Sequence, residues 1–202
     1  VRIFKENLSG KSDKIVIDQN TGLTKLLRNE LTNKEKQVLT AKEIAIKNPI
    51  LWNGDSQMTG DEIHIIRNLK TNDLDSLKIL NNAFIIEKDT LGIENFNQMK
   101  GINLFGKFQD NELKTIELIQ NTEMIYYLYD DNSNDLIGID KAICSSIRME
   151  IDDNIIKEIT FTTNPEGEVF PEDEMEISLK ILNGFNWRIN EKITNKEELF
   201  IK

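Results

Sequence analysis

Apolar and polar residues alternate along most of this chain, and the alternation breaks at recurring places. Ile63/Ile65, Leu77/Ile79, Phe84/Ile86, Ile116/Leu118, Ile125/Tyr127, Ile143/Ile147/Met149/Ile151 and Ile159/Phe161 all fall in alternating runs. A period of two puts such residues on one face of a sheet. The pattern predicts three short strands within residues 1–28, with turns near Asn7–Gly10 and at Gln19-Asn20-Thr21-Gly22. It then predicts strands at Pro49–Asn53, Ser56–Arg67, Asp75–Lys88, Phe96–Gln109, Glu112–Tyr129, Leu136–Ile151 and Ile155–Thr163. Segments of 12 to 18 residues exceed an ordinary strand. Glycine or asparagine in their middles, as at Asn81-Asn82, marks bends where one strand crosses from one sheet to another. Two sheets joined by bent strands make a sandwich, a jelly roll or a folded-over solenoid.

The interruptions repeat. An apolar-x-Gly motif occurs at Leu8-Ser9-Gly10, Met58-Thr59-Gly60, Met99-Lys100-Gly101 and Leu136-Ile137-Gly138, each followed by strand-like sequence. The steps between glycines are about 50, 41 and 37 residues. Repeats at such spacing belong to stacked architectures, in which one unit cannot bury its apolar face alone. Asp110-Asn111 and Asp153-Asn154 recur between alternating segments and suit tight turns.

One segment departs from the strand pattern. Thr32-Asn33-Lys34-Glu35 has capping-box spacing, and Val38, Leu39, Ala41, Ala45 and Ile46 fall near one helical stripe that ends at Asn48-Pro49. A helical insertion over about residues 31–48 explains why the first interval is the longest. The chain then divides into a β domain over 1–163 and an acidic, proline-containing extension over 164–202. Within that extension Pro165 and Pro171 predict an exposed connector, followed by a short segment around Ile177–Leu182. Thr194-Asn195-Lys196-Glu197 predicts a last helical turn or two, and Phe185 and Trp187, two aromatics in a polar neighbourhood, are placed either to pin the tail to the sheet or to dock a partner.

The formal charge of −10, with lysines and arginines scattered singly, speaks against a nucleic-acid surface. No run approaches the roughly 18 apolar residues of a membrane span. The chain opens directly into the strand-like Val1–Phe4, as a processed chain would, so the lack of a secretory leader does not decide the compartment. Cys144 has no partner for an internal disulfide and reads as a packing residue.

Candidate chemistry is thin. His64 has no histidine or cysteine neighbour to complete a metal set. No nucleophile elbow, phosphate loop or Cys-x-x-Cys occurs. Asp130–Asp135 alternates carboxylates but lacks the glycine and glutamate of a calcium loop, so it reads as a solvated hairpin. Asp152-Asp153 and Glu172-Asp173-Glu174 are solvated charge. The sequence calls for no cofactor and no metal, and an enzyme is not expected. What remains is apolar surface, which forms a plain core if the sheets close and a long groove if they splay.

Several stretches together carry a resemblance: Leu8–Asp13, Lys25–Asn29, Asn48–Asn53, Gln57–Asp61, Leu74–Leu77, Asn82–Ile86, Phe96–Gly101 and Gly184–Arg188. Across nearly its whole length the chain resembles an OstA-like protein, of the superfamily of LptA and the periplasmic domains of LptC and LptD. The resemblance implies an all-β, folded-over jellyroll (a β-taco) in the Gram-negative periplasm, with association with the outer membrane as a further option. It further implies lipopolysaccharide transport in outer-membrane biogenesis. Lipid A acyl chains would lie in a groove between the sheets, and other domains of the same fold would join by edge-strand pairing, with homo-oligomers among the outcomes. The expected groove residues are Ile63, Ile65, Phe84, Ile86, Ile116, Leu118, Ile147, Met149 and Phe161. The helical insertion and the acidic tail are not parts of a minimal unit of that kind. An alternative within the same fold is a scaffold that binds partners by strand addition and carries no lipid.

Overall fold

The computed structural model describes residues 1–5, 7–38, 47–92 and 94–200. Its strands are β1 (Arg2–Lys5), β2 (Leu8–Lys11), β3 (Lys14–Asp18), β4 (Leu23–Leu27), β5 (Ile50–Asn53), β6 (Ser56–Thr59), β7 (Glu62–Arg67), β8 (Leu74–Lys88), β9 (Phe96–Gln109), β10 (Glu112–Tyr129), β11 (Leu136–Asp152), β12 (Ile155–Thr162) and β13 (Glu166–Phe170). All pair antiparallel in one continuous hydrogen-bonded network. The expected Ser56–Arg67 strand is split at Gly60-Asp61, and residues 1–28 hold four strands where three were predicted.

The pairing resolves into two walls. Wall A runs β3-β4-β7, then residues 74–80 of β8, 103–109 of β9, 112–119 of β10 and 146–152 of β11, ending in β12. Wall B runs β1-β2-β5-β6, then residues 83–88 of β8, 96–101 of β9, 122–129 of β10 and 136–144 of β11, ending in β13. Each long strand belongs to both walls and changes over where its register shifts.

The crossings have a local cause. From wall A to wall B the chain passes through pairs of left-handed residues: Asn81-Asn82, Gln120-Asn121 and Thr163-Asn164. Asparagine tolerates that region better than other side chains, so it takes part in every pair. From wall B to wall A, Gly10, Gly60 and Gly101 sit at or just before the change. A Cβ on Gly60 would lie 2.3 Å from Ile79 Cγ2, so the bend needs the bare backbone. Gly138 departs from the repeat: it lies at the start of β11, well before that strand's crossing near Ser145. The Asp110-Asn111 and Asp153-Asn154 turns have both residues left-handed, as two-residue hairpins require.

The Thr163-Asn164 pair changes the reading of the tail. The expected exposed connector contains β13, which pairs with β11 and forms the wall B half of the last bent strand. The insertion begins as expected: α1 (Asn33–Val38) follows a capping box in which the Glu35 amide donates to Thr32 Oγ1 at 3.2 Å and Glu35 Oε2 accepts from the Thr32 amide at 2.9 Å. Lys47, and then Thr32, hold the Glu35 carboxyl down at about 2. Residues 39–46, the rest of the expected helix, lie outside the described residues.

Two apolar clusters follow from the two faces of wall B. The larger draws Leu26, Ile63, Leu77, Leu104, Leu118 and Ile147 from wall A and Leu8, Leu51, Met58, Ile85, Met99 and Met124 from wall B, and so fills the space between the walls. Cys144 packs against it, in keeping with a packing role. The smaller lies on the outer face of wall B, where Phe84, Ile86, Ile125, Tyr127 and Ile139 meet Met175 and Leu182 of the tail.

Beyond Phe170 the tail forms a strap across that outer face, from the last strand to the first. Leu182 bonds Gln98 on β9, Gly184 lies beside Phe84 on β8, and Asn186 and Arg188 bond Gln57 on β6. Trp187 stacks edge-on against Trp52 of β5 at 4.9 Å, Glu191 pairs with Lys11 of β2 at 2.7 Å, and the Glu198 carbonyl accepts from Arg2 of β1. Phe185 and Trp187 therefore pin the tail, the first of the two roles expected of them. The final turn, Glu197–Phe200, is capped one residue later than the sequence suggested. Asn195 Oδ1 accepts from the Glu198 amide, and Glu198, not Glu197, reaches back to Thr194.

Candidate functional site

The candidate site is the interior between the walls and its mouth. Seven of the nine expected groove residues meet there: Ile63, Ile65, Ile116, Leu118, Ile147 and Met149 are buried members of the larger cluster, and Phe161 packs half-buried at its β12 end. The structure places Phe84 and Ile86 elsewhere, on the outer face of wall B under the strap. The reason is parity. On the wall B half of β8, Ala83 and Ile85 point between the walls, so the even positions between and after them must point out.

Among the described residues the interior is closely packed and holds a small cavity of about 20 Å³, lined by Met58, Ile85, Met99, Ile116, Met149 and Ile151, with Asn53, Ser56, Glu87, Asn97 and Asn154 on its polar side. That is room for a single water. Three of the apolar lining residues are methionines, whose unbranched, polarisable side chains adapt to different neighbours more readily than isoleucine does.

The mouth is where the far ends of the walls meet, and its contacts are polar. Asn53 Nδ2 donates to Asn154 Oδ1 at 3.2 Å, from the end of β5 to the β11–β12 turn. Lys5 Nζ, from β1, donates to Asn111 Oδ1 at 3.0 Å and to the Asn72 carbonyl at 3.3 Å. Both of its acceptors are neutral. Glu87 faces the cavity from wall B, and burial raises its pKa despite hydrogen bonds from Asn97 and Ser56. At the same end Tyr129 donates to Asp89, which also anchors the Leu91 and Gly92 amides. The lips are therefore held together by side-chain hydrogen bonds, with the apolar cluster behind them.

Other sequence candidates fall away from this site. His64 points outward on wall A and bonds Glu62 at 2.9 Å. The Asp130 loop is a closed turn: Asp130 Oδ1 accepts from the Asn132 and Ser133 amides, each at 2.9 Å, and these bonds lower its pKa. Among the described residues no group of three or more His, Cys, Asp or Glu is placed to hold a metal ion.

Among the described residues each wall ends in strands paired with a single neighbouring strand, β3 and β1 at one end and β12 and β13 at the other, with the Glu197–Phe200 turn lying against β1. Val16 and Ile17 of β3 and Ile155 of β12 are exposed there. Arg2 and Lys5 lie on β1 and Glu166 and Glu168 on β13, so the wall B edges carry opposite charge.

Two residues absent from the expected site are Gln57 and Gln98, buried on the outer face of wall B and bonded to the strap. Their signal is in the sequence. Gln57-Met58-Thr59-Gly60 and Gln98-Met99-Lys100-Gly101 share the pattern Gln-Met-x-Gly. In both, methionine points between the walls and glutamine points out to the strap.

No helix among the described residues is long and apolar enough to cross a membrane. No protein-family model matches the chain, and no curated protein matches it. Among solved structures the chain is similar to LptH of Pseudomonas aeruginosa, described as the LptA-homologous periplasmic component of the conserved lipopolysaccharide transport device. The likeness has a TM-score of 0.52 at 9% identity and covers 81% of this chain and 95% of that one. The fold of this chain is thus an LptA-like β-jellyroll.

Proposed function

We propose that this chain is a non-enzymatic periplasmic carrier that holds the acyl chains of lipopolysaccharide between walls A and B. The observation that carries this reading is the continuous apolar interior, closed at its mouth by side-chain hydrogen bonds, in a fold shared with a lipopolysaccharide-transport component. The lips part and acyl chains replace wall-to-wall contacts, so little apolar surface is left wet. Burying a 12-carbon chain gains at most about 10 kcal/mol before the costs of association, enough to hold lipid and still release it. Lys5, hydrogen-bonded to neutral oxygens at the lip and close enough to Asp73 to lower its pKa, offers a positive charge to an anionic headgroup on an acidic protein.

Partners of the same fold join by strand addition at the one-sided edges, β1 and β3 at one end and β12 and β13 at the other. Those edges also support the second reading, a scaffold that assembles by strand addition and carries no lipid.

The test compares intact lipopolysaccharide with the same molecule stripped of its acyl chains, by native mass spectrometry. Stoichiometric binding of the acylated form alone, lost in Met149→Asp and kept in Met149→Leu, is expected. Equal binding of the deacylated form, or no binding of either, removes the carrier reading. Concentration-dependent assembly without lipid binding favours the scaffold.

A further inference from the structure

The strap is held in a way that a permanently built-in segment does not need. Gln98 Nε2 donates to the Lys180 carbonyl at 2.9 Å while its Oε1 accepts from the Leu182 amide at 2.9 Å. Gln57 repeats the arrangement on Asn186 and Arg188, at 2.8 and 2.7 Å. Each side-chain amide thus grips the carbonyl of one residue and the N–H of the residue two further on, as a neighbouring strand would. Both glutamines are buried, so each pair of bonds is made away from competing water. Each capture reads backbone atoms and leaves the side chain between them unspecified.

Around the glutamines, Trp52, Phe84, Phe96 and Tyr127 receive Leu182, Phe185 and Trp187. The fit is incomplete. Among the described residues the indole nitrogen of Trp52 and Nδ2 of Asn186 are both buried with no protein hydrogen-bond partner, a pair of unmet donors in the middle of the interface. Of the strap's side chains Met175, Leu182, Ile193 and the Arg188 guanidinium arm are buried and Phe185 and Trp187 half-buried, while Ile177, Ile181 and Ile189 remain exposed. A segment whose apolar side chains are only partly buried belongs to the low-stability end of the structure.

We propose that the outer face of wall B is a peptide-docking groove and that the C-terminal strap is its resident, exchangeable occupant. The groove takes a peptide with the Leu-x-x-Phe-x-Trp-Arg pattern of residues 182–188, turned between Leu182 and Phe185 and held on either side of that turn by Gln98 and Gln57. Arg188 completes the specificity: its guanidinium donates to the Asn48 carbonyl and forms a two-pronged pair with Glu191. This inference does not depend on the interior carrying lipid.

The test keeps the full chain and places a protease site in the exposed Glu172–Glu174 stretch, cutting only after folding. A fluorescent peptide of residues 175–200 is then added and its exchange followed by anisotropy. Saturable exchange into the cut protein is expected, with at least tenfold weaker apparent affinity for the uncut protein, where the resident strap competes. Methylating the peptide nitrogens of Leu182 and Arg188 removes the bond that each donates to a glutamine Oε1, spares the bonds that the glutamine Nε2 atoms donate to the Lys180 and Asn186 carbonyls, and leaves the protein untouched. It should weaken binding about tenfold or more. Gln57→Leu and Gln98→Leu should each do the same. A cut strap that never exchanges, or equal binding of methylated and unmethylated peptide, overturns the proposal. Displacement of the peptide by acyl chains would assign the groove to lipid and also overturn it.

Discussion

Replacing Trp187 with alanine should unlatch the strap and leave the two walls folded. The ring stands edge-on to Trp52 at 4.9 Å and tilted over Phe96 at 5.2 Å, and it is half-buried. A half-buried indole covers about 100 Å² of apolar surface, or about 2.5 kcal/mol at 25 cal/mol per Å². Two aromatic pairs add about 0.5 kcal/mol or more each. Local relaxation offsets part of this, leaving a loss of about 3 kcal/mol, or roughly a hundredfold in the strap's opening equilibrium. Amide hydrogen exchange resolved by residue is the assay. Protection of Leu182 and Arg188, whose amides bond the two glutamines, should fall about a hundredfold, while residues 103–119 of wall A keep theirs. An equal fall in both regions would show that strap and sandwich unfold as one unit and would refute the separation argued above. No change in either would show that Trp187 is not the pin.

Three further outcomes follow from the packing and the mouth. Ile147→Ala removes a fully buried side chain between Leu118 and Phe161 in the ladder, and should cost about 3 kcal/mol of global stability in urea titrations. Gly60→Ala places a Cβ against Ile79 where no room exists and should destabilise by about 2 kcal/mol, whereas Gly54→Ala meets only ordinary van der Waals contact with Asn154 and carries the strain of its positive φ. Glu87 is an acid whose folded pKa is raised by burial. Its ionisation therefore works against folding, and the penalty grows as pH rises above the ordinary carboxylate range. Glu87→Gln should raise the Tm at pH 7 and have a smaller effect near pH 4; a constant gain across that range would contradict the assignment.

The alternation of Leu77/Ile79, Ile116/Leu118 and Ile147/Met149 made the long strands legible, because one face of each is buried along its length. The bends were legible too, since Asn81-Asn82 and Gly101 break the pattern where only left-handed or bare backbone fits. What the alternation does not carry is which face is inner when both are apolar. Wall B has an apolar outer face because the strap covers it, and so Phe84 and Ile86 look the same in sequence as Ile63 and Ile65. Gln57 and Gln98 escaped notice for a related reason: a polar residue in an alternating strand reads as solvent-facing, and only the strap makes it buried. The Glu166–Phe170 strand was hidden by its charge and flanking prolines. Its pairing with β11 compensates for a composition that disfavours strands.

The most direct test of the carrier reading is site-specific photocrosslinking to lipopolysaccharide from two adjacent positions on opposite faces of β12. Phe161 packs against the interior cluster and Thr162 is exposed on the other side. The account predicts a lipid adduct from position 161, none from 162, and none from position 84 beneath the strap. An adduct from 84 without one from 161, or none from any of the three in folded periplasmic protein, would contradict it.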